Sequence, residues 1–122
     1  MDAATRALVA FIAGRLITRV ETWAVTDHDR KRKVFVDGSF EGGEIKIYSH
    51  ERHNYISGLG EYDRYVLFQH DGAGGCTLTI NLDQAAFTGH QQQSGFHFFG
   101  NVCNRTVRLY DYHDTRWHVY TL

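Results

Sequence analysis

The side chains best able to do chemistry recur in this chain at a nearly constant interval. His28, His50, His70, His90 and Tyr112 are separated by 22, 20, 20 and 22 residues. An acid follows directly at Asp29, Glu51 and Asp71, and Asp114 comes after the Tyr112-His113 pair, while Asp27 and Asp111 stand just before their tips. Imidazole beside carboxylate is the chemistry of metal ligation and of general acid–base catalysis. It is also ordinary turn chemistry, because an Asp that opens a turn bonds the backbone ahead of it with its own side chain. Repetition of one structural unit then copies the His without any catalytic demand. Tips that share one rim would lie ~10 Å apart, two strand spacings, whereas zinc ligands converge to within about 2 Å of one ion. The sequence therefore assigns no catalytic residue, no metal ligand and no cofactor.

The tips punctuate runs of alternating apolar residues. IKIYSHERHNYI (45–56), YVLFQHDGAGGCTLTI (65–80) and VRLYDYHDTRWHVYTL (107–122) follow one plan, with weaker copies at 23–36 and 86–99. A fixed period of this size marks a repeated supersecondary unit, here five β-hairpins in series. The alternation places strands at 20–27, 33–40, 44–50, 53–58, 63–70, 76–81, 85–90, 95–100, 105–112 and 116–121. Gly-, Asn- and Asp-rich turns separate them, including 58–60 and 101–104. The seventh strand carries the weakest pattern, since 81–86 could form a helical turn instead. Residues 3–18 read as a helix with Leu8, Ile12 and Leu16 every four residues, Val9 beside them, and Asp2 as N-cap.

The connections are too short for crossover helices, so the strands run antiparallel in sequence order. Ten strands make a sheet about 45–50 Å wide, and a helix of ~16 residues is only about 25 Å long. It cannot cover such a sheet laid flat. The expected fold is a single domain, 1–122, in which residues 20–121 curl into an up-and-down β-barrel and the helix packs on it or caps one end. This order of elements differs from that of lipid-carrying ten-strand barrels, and no family is assigned.

Alternation divides the side chains into two sets. Trp23, Val25, Val34, Val36, Ile45, Ile47, Leu67, Leu78, Ile80, Phe96, Phe98, Val107, Leu109, Trp117 and Val119 form the expected core. Lys46, Tyr48, His50, Phe68, His70, Thr77, Thr79, His97, Phe99, Arg108, Tyr110, Tyr112, His118 and Tyr120 form the expected outer face. The inverse assignment would put a polar-aromatic cavity inside and leave the aliphatic set to be buried by oligomerisation. On the outer face Tyr48, Phe68 and Tyr110 hold equivalent positions in three repeats. They suit cross-strand pairing, a subunit interface or a stacking surface. With the tips they give the candidate ligand-binding residues Tyr48, His50, Phe68, His70, His90, Tyr110 and Tyr112.

Thirteen basic against fourteen acidic residues, a formal net charge of −1, give no electrostatic argument for nucleic acid or an anionic membrane. DRKRK (29–33) reads as a solvated turn. GAGG (72–75) precedes a strand and lacks the Lys-Ser/Thr ending of a phosphate loop. Cys76 and Cys103 fall near opposite ends of the strands, about 20 Å apart by strand length, too far for a disulfide; a Cys76–His70 pair is the one thiol chemistry conceivable. Free thiols, no apolar run of ~20 residues and no evident leader point to a soluble, cytoplasmic protein. The functional expectation is a small β-barrel binding module for a small apolar or aromatic ligand or a protein partner. A homo-oligomeric assembly protein using the outer aromatics is the first alternative. A small His/Asp acid–base enzyme at the His-rich rim is the second.

Overall fold

The computed structural model describes residues 1–70, 72 and 74–122. Asp71, the acid after the His70 tip, and Ala73 of the GAGG segment lie outside the described residues. One helix, α1 (Ala3–Thr18), precedes ten strands: β1 (Ala24–Asp27), β2 (Arg32–Glu41), β3 (Glu44–Ser49), β4 (Asn54–Glu61), β5 (Arg64–Gln69), β6 (Gly74–Asn81), β7 (Ala86–Gln91), β8 (His97–Cys103), β9 (Thr106–Asp111) and β10 (Arg116–Thr121). Each strand pairs antiparallel with its sequence neighbours, and β1 pairs with β10 to close the barrel. The ten-strand meander and the helix are those expected from the repeat. Asp2 caps α1 by accepting the Thr5 amide at 2.7 Å, and Arg19 ends it in a left-handed conformation (φ 58°).

The surface on which α1 packs is the inner wall. Every residue from Thr5 to Gly14 is buried, and a helix covered on all sides must be enclosed rather than laid on a surface. Strands β1, β6, β8, β9 and β10, at different positions around the wall, all lie close against it. The dimensions permit this. Ten strands tilted by about 40° enclose a cylinder roughly 10 Å in backbone radius, and a helix with its side chains has a radius of about 5–6 Å. The small residues Ala7, Ala10, Ala13 and Gly14 keep α1 thin; a Cβ on Gly14 would come within 2.8 Å of Leu122 and 2.9 Å of Val107.

The wall makes room in a second way. Phe98 stands opposite Gly89 and Phe87 opposite Gly100 in the register. Each ring lies over its partner glycine, so closely that a Cβ there would sit 2.2 Å and 2.4 Å from the ring. Both rings are buried against the wall and leave the axis free for the helix. The same pairing of Gly60 with Tyr65 explains why β4 runs through residues 58–60, where a turn was expected. Likewise β8 continues to Cys103, with the turn at Asn104–Arg105. β1 starts at Ala24 and not at residue 20, because Thr22 O is taken by Arg15 and the Val20 amide by Thr18 Oγ1. The seventh strand is a strand, its preceding turn closed by Asn81 Oδ1 on the Gln84 amide.

The expected core is buried from Val25 to Leu109, with three corrections. Trp117 is 40% and Phe96 43% exposed, and Val119 is half-buried on the outer side, whereas His118 and Tyr120 point inward and are buried. The register sets this phase: His118 lies directly opposite the buried Leu109, and Trp117 opposite the outward Tyr110. Phe96 precedes β8 and stacks outside on His113, centroids 4.9 Å apart at 8°. Both cysteines are free, Cys76 buried and Cys103 exposed.

Candidate functional site

All five tips lie at the barrel rim where the odd-numbered strands end. Their side chains turn outward instead of converging; His28, His50 and His70 each bond a neighbouring strand, and His90 its own hairpin turn. His28 Nε2 meets Thr121 Oγ1 at 2.7 Å, His70 Nε2 meets Ser57 Oγ at 2.8 Å, and His50 Nε2 pairs with Asp37. His90 Nε2 lies 3.2 Å from Gly95 O. Tyr112 packs on Phe99 and Tyr110.

Immediately beside the tips runs a second, inward series that the tip pattern obscured. Asp27, Ser49, Gln91 and Asp111 are buried and Gln69 is half-buried. Two of them, Gln69 and Asp111, meet the N-terminal turn of α1. Gln69 Nε2 donates to Thr5 Oγ1 at 3.1 Å. Asp111 Oδ2 accepts from the Met1 amine at 3.1 Å and from Arg6 Nη1 at 3.3 Å. Asp27 receives Arg30 Nε at 2.6 Å, and Arg30 continues to Glu51. His118, 2% exposed, is held between Asp29 at Nδ1 and Asp114, 2.7 Å away, at Nε2. Burial alone would raise the Asp114 carboxyl; the His118 hydrogen bond and charge, with Arg6, hold it below the usual carboxylate range. This layer is a polar plug that seats the helix. Both nitrogens of His118 face carboxylates, so the ring has no nitrogen left to offer a substrate. The recurrence of a polar residue at 27, 49, 69, 91 and 111, offset from the tips, is the sequence signal that could have found it.

The lumen being filled, concave surface is found at the far mouth and on the outer wall. The far-mouth pocket, about 430 Å³, mixes Arg15 and Arg19 with Glu41, Glu44 and Asp63. Arg15 there is held over the rings of Trp23 and Phe40, 4.6 and 4.7 Å from their centroids. A larger concavity, a groove of about 820 Å³, lies on the outer face of β6–β8. Thr77, Thr79 and Thr88 floor it, and Phe96, Phe99, Tyr112, His90 and His97 wall it. Its aromatic side continues into Tyr110 and Trp117, whose centroids are 5.4 Å apart and each 5.4 Å from Phe99. Small hydroxyl residues between aromatic walls give a surface that stacks flat rings and offers hydroxyls to their edges.

Of the seven candidate ligand residues, the structure brings His90 and Tyr112 to this groove, with Tyr110 adjoining it. Tyr48 packs against Tyr55 and His50, each 5.1 Å away, on β3–β4. Phe68, 55% exposed, lines a separate depression of about 350 Å³ with Leu59 and Lys46, and His70 bonds Ser57 nearby. Phe99, Trp117 and the threonine floor were missed as site residues because neither carries the periodic tip signature. The Cys76–His70 pair does not form: Cys76 points inward and burial pushes its thiol up to about 12, while His70 points outward. Among the described residues no three His, Cys, Asp or Glu converge on a metal position, and no helix is long and apolar enough to cross a membrane. Comparison with protein-family models, curated proteins and solved structures returned no match for this chain.

Proposed function

We propose that this protein is a binding module without catalysis, taking a small apolar or aromatic ligand in the outer-wall groove over β6–β8. The observation that carries the reading is the groove itself. Its volume, about 820 Å³, falls in the range of small-molecule sites of roughly 300–1,000 Å³, and the lumen, the usual ligand chamber of a small barrel, holds α1. The exposed Lys33, Lys46 and Arg108 on the outer strands, together with the free thiols, fit work in an aqueous, reducing compartment such as the cytoplasm. The balanced charge favours neither nucleic acid nor a membrane as partner.

The test is titration with an anilinonaphthalene sulfonate dye, read by fluorescence. Saturable one-to-one binding is expected, lost when Thr88→Trp fills the floor and kept in Leu59→Glu, outside the groove on β4. Absence of binding, or binding unchanged by Thr88→Trp in a folded variant, overturns the reading. A second reading, homo-oligomerisation, is favoured by the apolar patch of Phe35, Tyr55, Leu59, Val66 and Phe68 exposed on β2–β5. Light scattering that shows a multiple of 14.0 kDa, reduced to a monomer by Leu59→Glu, supports it; a monomer at high concentration excludes it.

A further inference from the structure

We propose that His90 and His97 form a two-imidazole chelate for a borderline transition-metal ion of the copper, nickel or zinc class, opening onto the groove. The two residues are direct partners in the β7–β8 register. Both stand on the outer face, where opposed side chains are about 4.5–5.5 Å apart at Cβ. Their ring centroids are 4.7 Å apart. An ion bound at about 2.0–2.1 Å by one nitrogen of each ring lies about 3.2 Å from each centroid. At the 90–109° ligand angles of square-planar or tetrahedral geometry, the centroids then fall roughly 4.5–5.2 Å apart. The ring centroids already stand at a chelating separation.

The proton arrangement fits as well. A carbonyl oxygen only accepts, so the contact of His90 Nε2 with Gly95 O at 3.2 Å places the proton on Nε2 and leaves the Nδ1 lone pair free. A ring N–H tied to a backbone carbonyl is the usual support of a metal-bound imidazole, fixing both tautomer and orientation. The His97 backbone carbonyl accepts the Tyr112 amide at 3.1 Å, but its ring makes no hydrogen bond among the described residues, so neither ring nitrogen is occupied. The hairpin that carries the pair is fixed by Gln91 N to Phe96 O at 3.0 Å and Gly95 N to Gln91 O at 2.9 Å. Tip-to-tip distances gave no convergent metal site; this pair lies within one hairpin, between a tip and the first residue of the returning strand. Two protein nitrogens leave the remaining coordination positions to water or to a donor atom on a groove ligand. Imidazole selects this class over Mg²⁺ and Ca²⁺, which prefer oxygen. The site does not need the aromatic-ligand reading, since the ion can be held with the groove otherwise empty.

The test is calorimetric titration of the intact chain with Cu²⁺ at neutral pH, with the electron paramagnetic resonance spectrum of the first equivalent. One tight equivalent is expected, with hyperfine structure from two nitrogens. His90→Ala and His97→Ala should each weaken it at least tenfold, while His50→Ala and His70→Ala leave it unchanged. Both ring positions are on the outer wall, and an unaltered circular dichroism melt will show that the variants fold. Mg²⁺ should give no heat. Absence of a tight equivalent, or one that survives in the folded His90→Ala/His97→Ala variant, overturns the assignment. Failure of the dye titration with Cu²⁺ binding intact would remove the ligand reading alone.

Discussion

An enclosed helix makes a demand that an outer helix does not, and Ala10 is where the two differ most. It lies about 160° around the helix from both Leu8 and Ile12, on the face that a helix resting on the outside would show to water. Here it is 0% exposed. Ala10→Leu keeps helix propensity nearly constant and adds three carbons to a filled lumen. Overpacking of this kind costs about 1–3 kcal/mol. At ~2.1 cal/mol/K per residue, a chain of 122 residues has an unfolding entropy near 260 cal/mol/K, so each kcal/mol lowers Tm by about 4 °C. The expected fall is about 4–12 °C, read by near-ultraviolet circular dichroism. On an outer helix the same change would stay within about 0.5 kcal/mol, or 2 °C. Ala10→Glu sharpens the contrast by placing an unpaired carboxylate at the barrel axis, which should abolish cooperative folding. A Tm within 2 °C for the leucine variant, together with a folded glutamate variant, would refute the enclosed helix.

Two further perturbations probe the interior. Burial raises the Cys76 thiol from 9.0 to about 12, so the unfolded chain loses this proton first. The stabilisation is whole below about pH 9 and is lost as the pH rises towards 12, by about 4 kcal/mol in full. The urea midpoint of Cys76→Ala should therefore fall less steeply between pH 9 and 11 than that of the parent, and equal slopes would contradict this. Asp111→Asn removes the carboxylate that Arg6 and the Met1 amine share. Breaking a buried pair from one side costs about 3–5 kcal/mol, and the residual contact of Arg6 with Asp114 at 3.6 Å puts the expectation at the lower end. A loss under 1 kcal/mol in denaturant titration would show that the plug does not hold the helix.

The barrel was legible because its unit repeats: alternation and tip spacing located nearly every strand, and Asp2 and residues 3–18 located the helix. The lumenal position of α1 was not, although Ala7, Ala10 and Ala13 stand where an outer helix would carry charge. A stripe of Leu8, Ile12 and Leu16 drew the eye to one face, and small apolar residues on the other read as neutral. The inverted phase of β10 has a different cause. Bulk suggested Trp117 inside, but the hairpin pairing puts His118 opposite Leu109. A histidine is tolerated there because Asp29 and Asp114, the acids that follow two of the tips, supply its partners. Of the candidate site, the tips named His90 and Tyr112. The threonine floor and His97 stayed hidden because a groove is made by register between strands, which no single strand displays.

The seam where the meander closes has an unequal share of the ladder. β1 has only four residues and meets β10 at two register positions, Thr26 with Thr121 and Asp27 with Tyr120, against six in most of the other pairings. Closing it joins segments some 95 residues apart, so this contact carries the greatest loop-closure entropy in the sheet. The barrel therefore behaves as a strap with one buckle. Amide exchange should be fastest along β1 and the facing edge of β10, and transient opening of this edge is the route by which water first reaches α1.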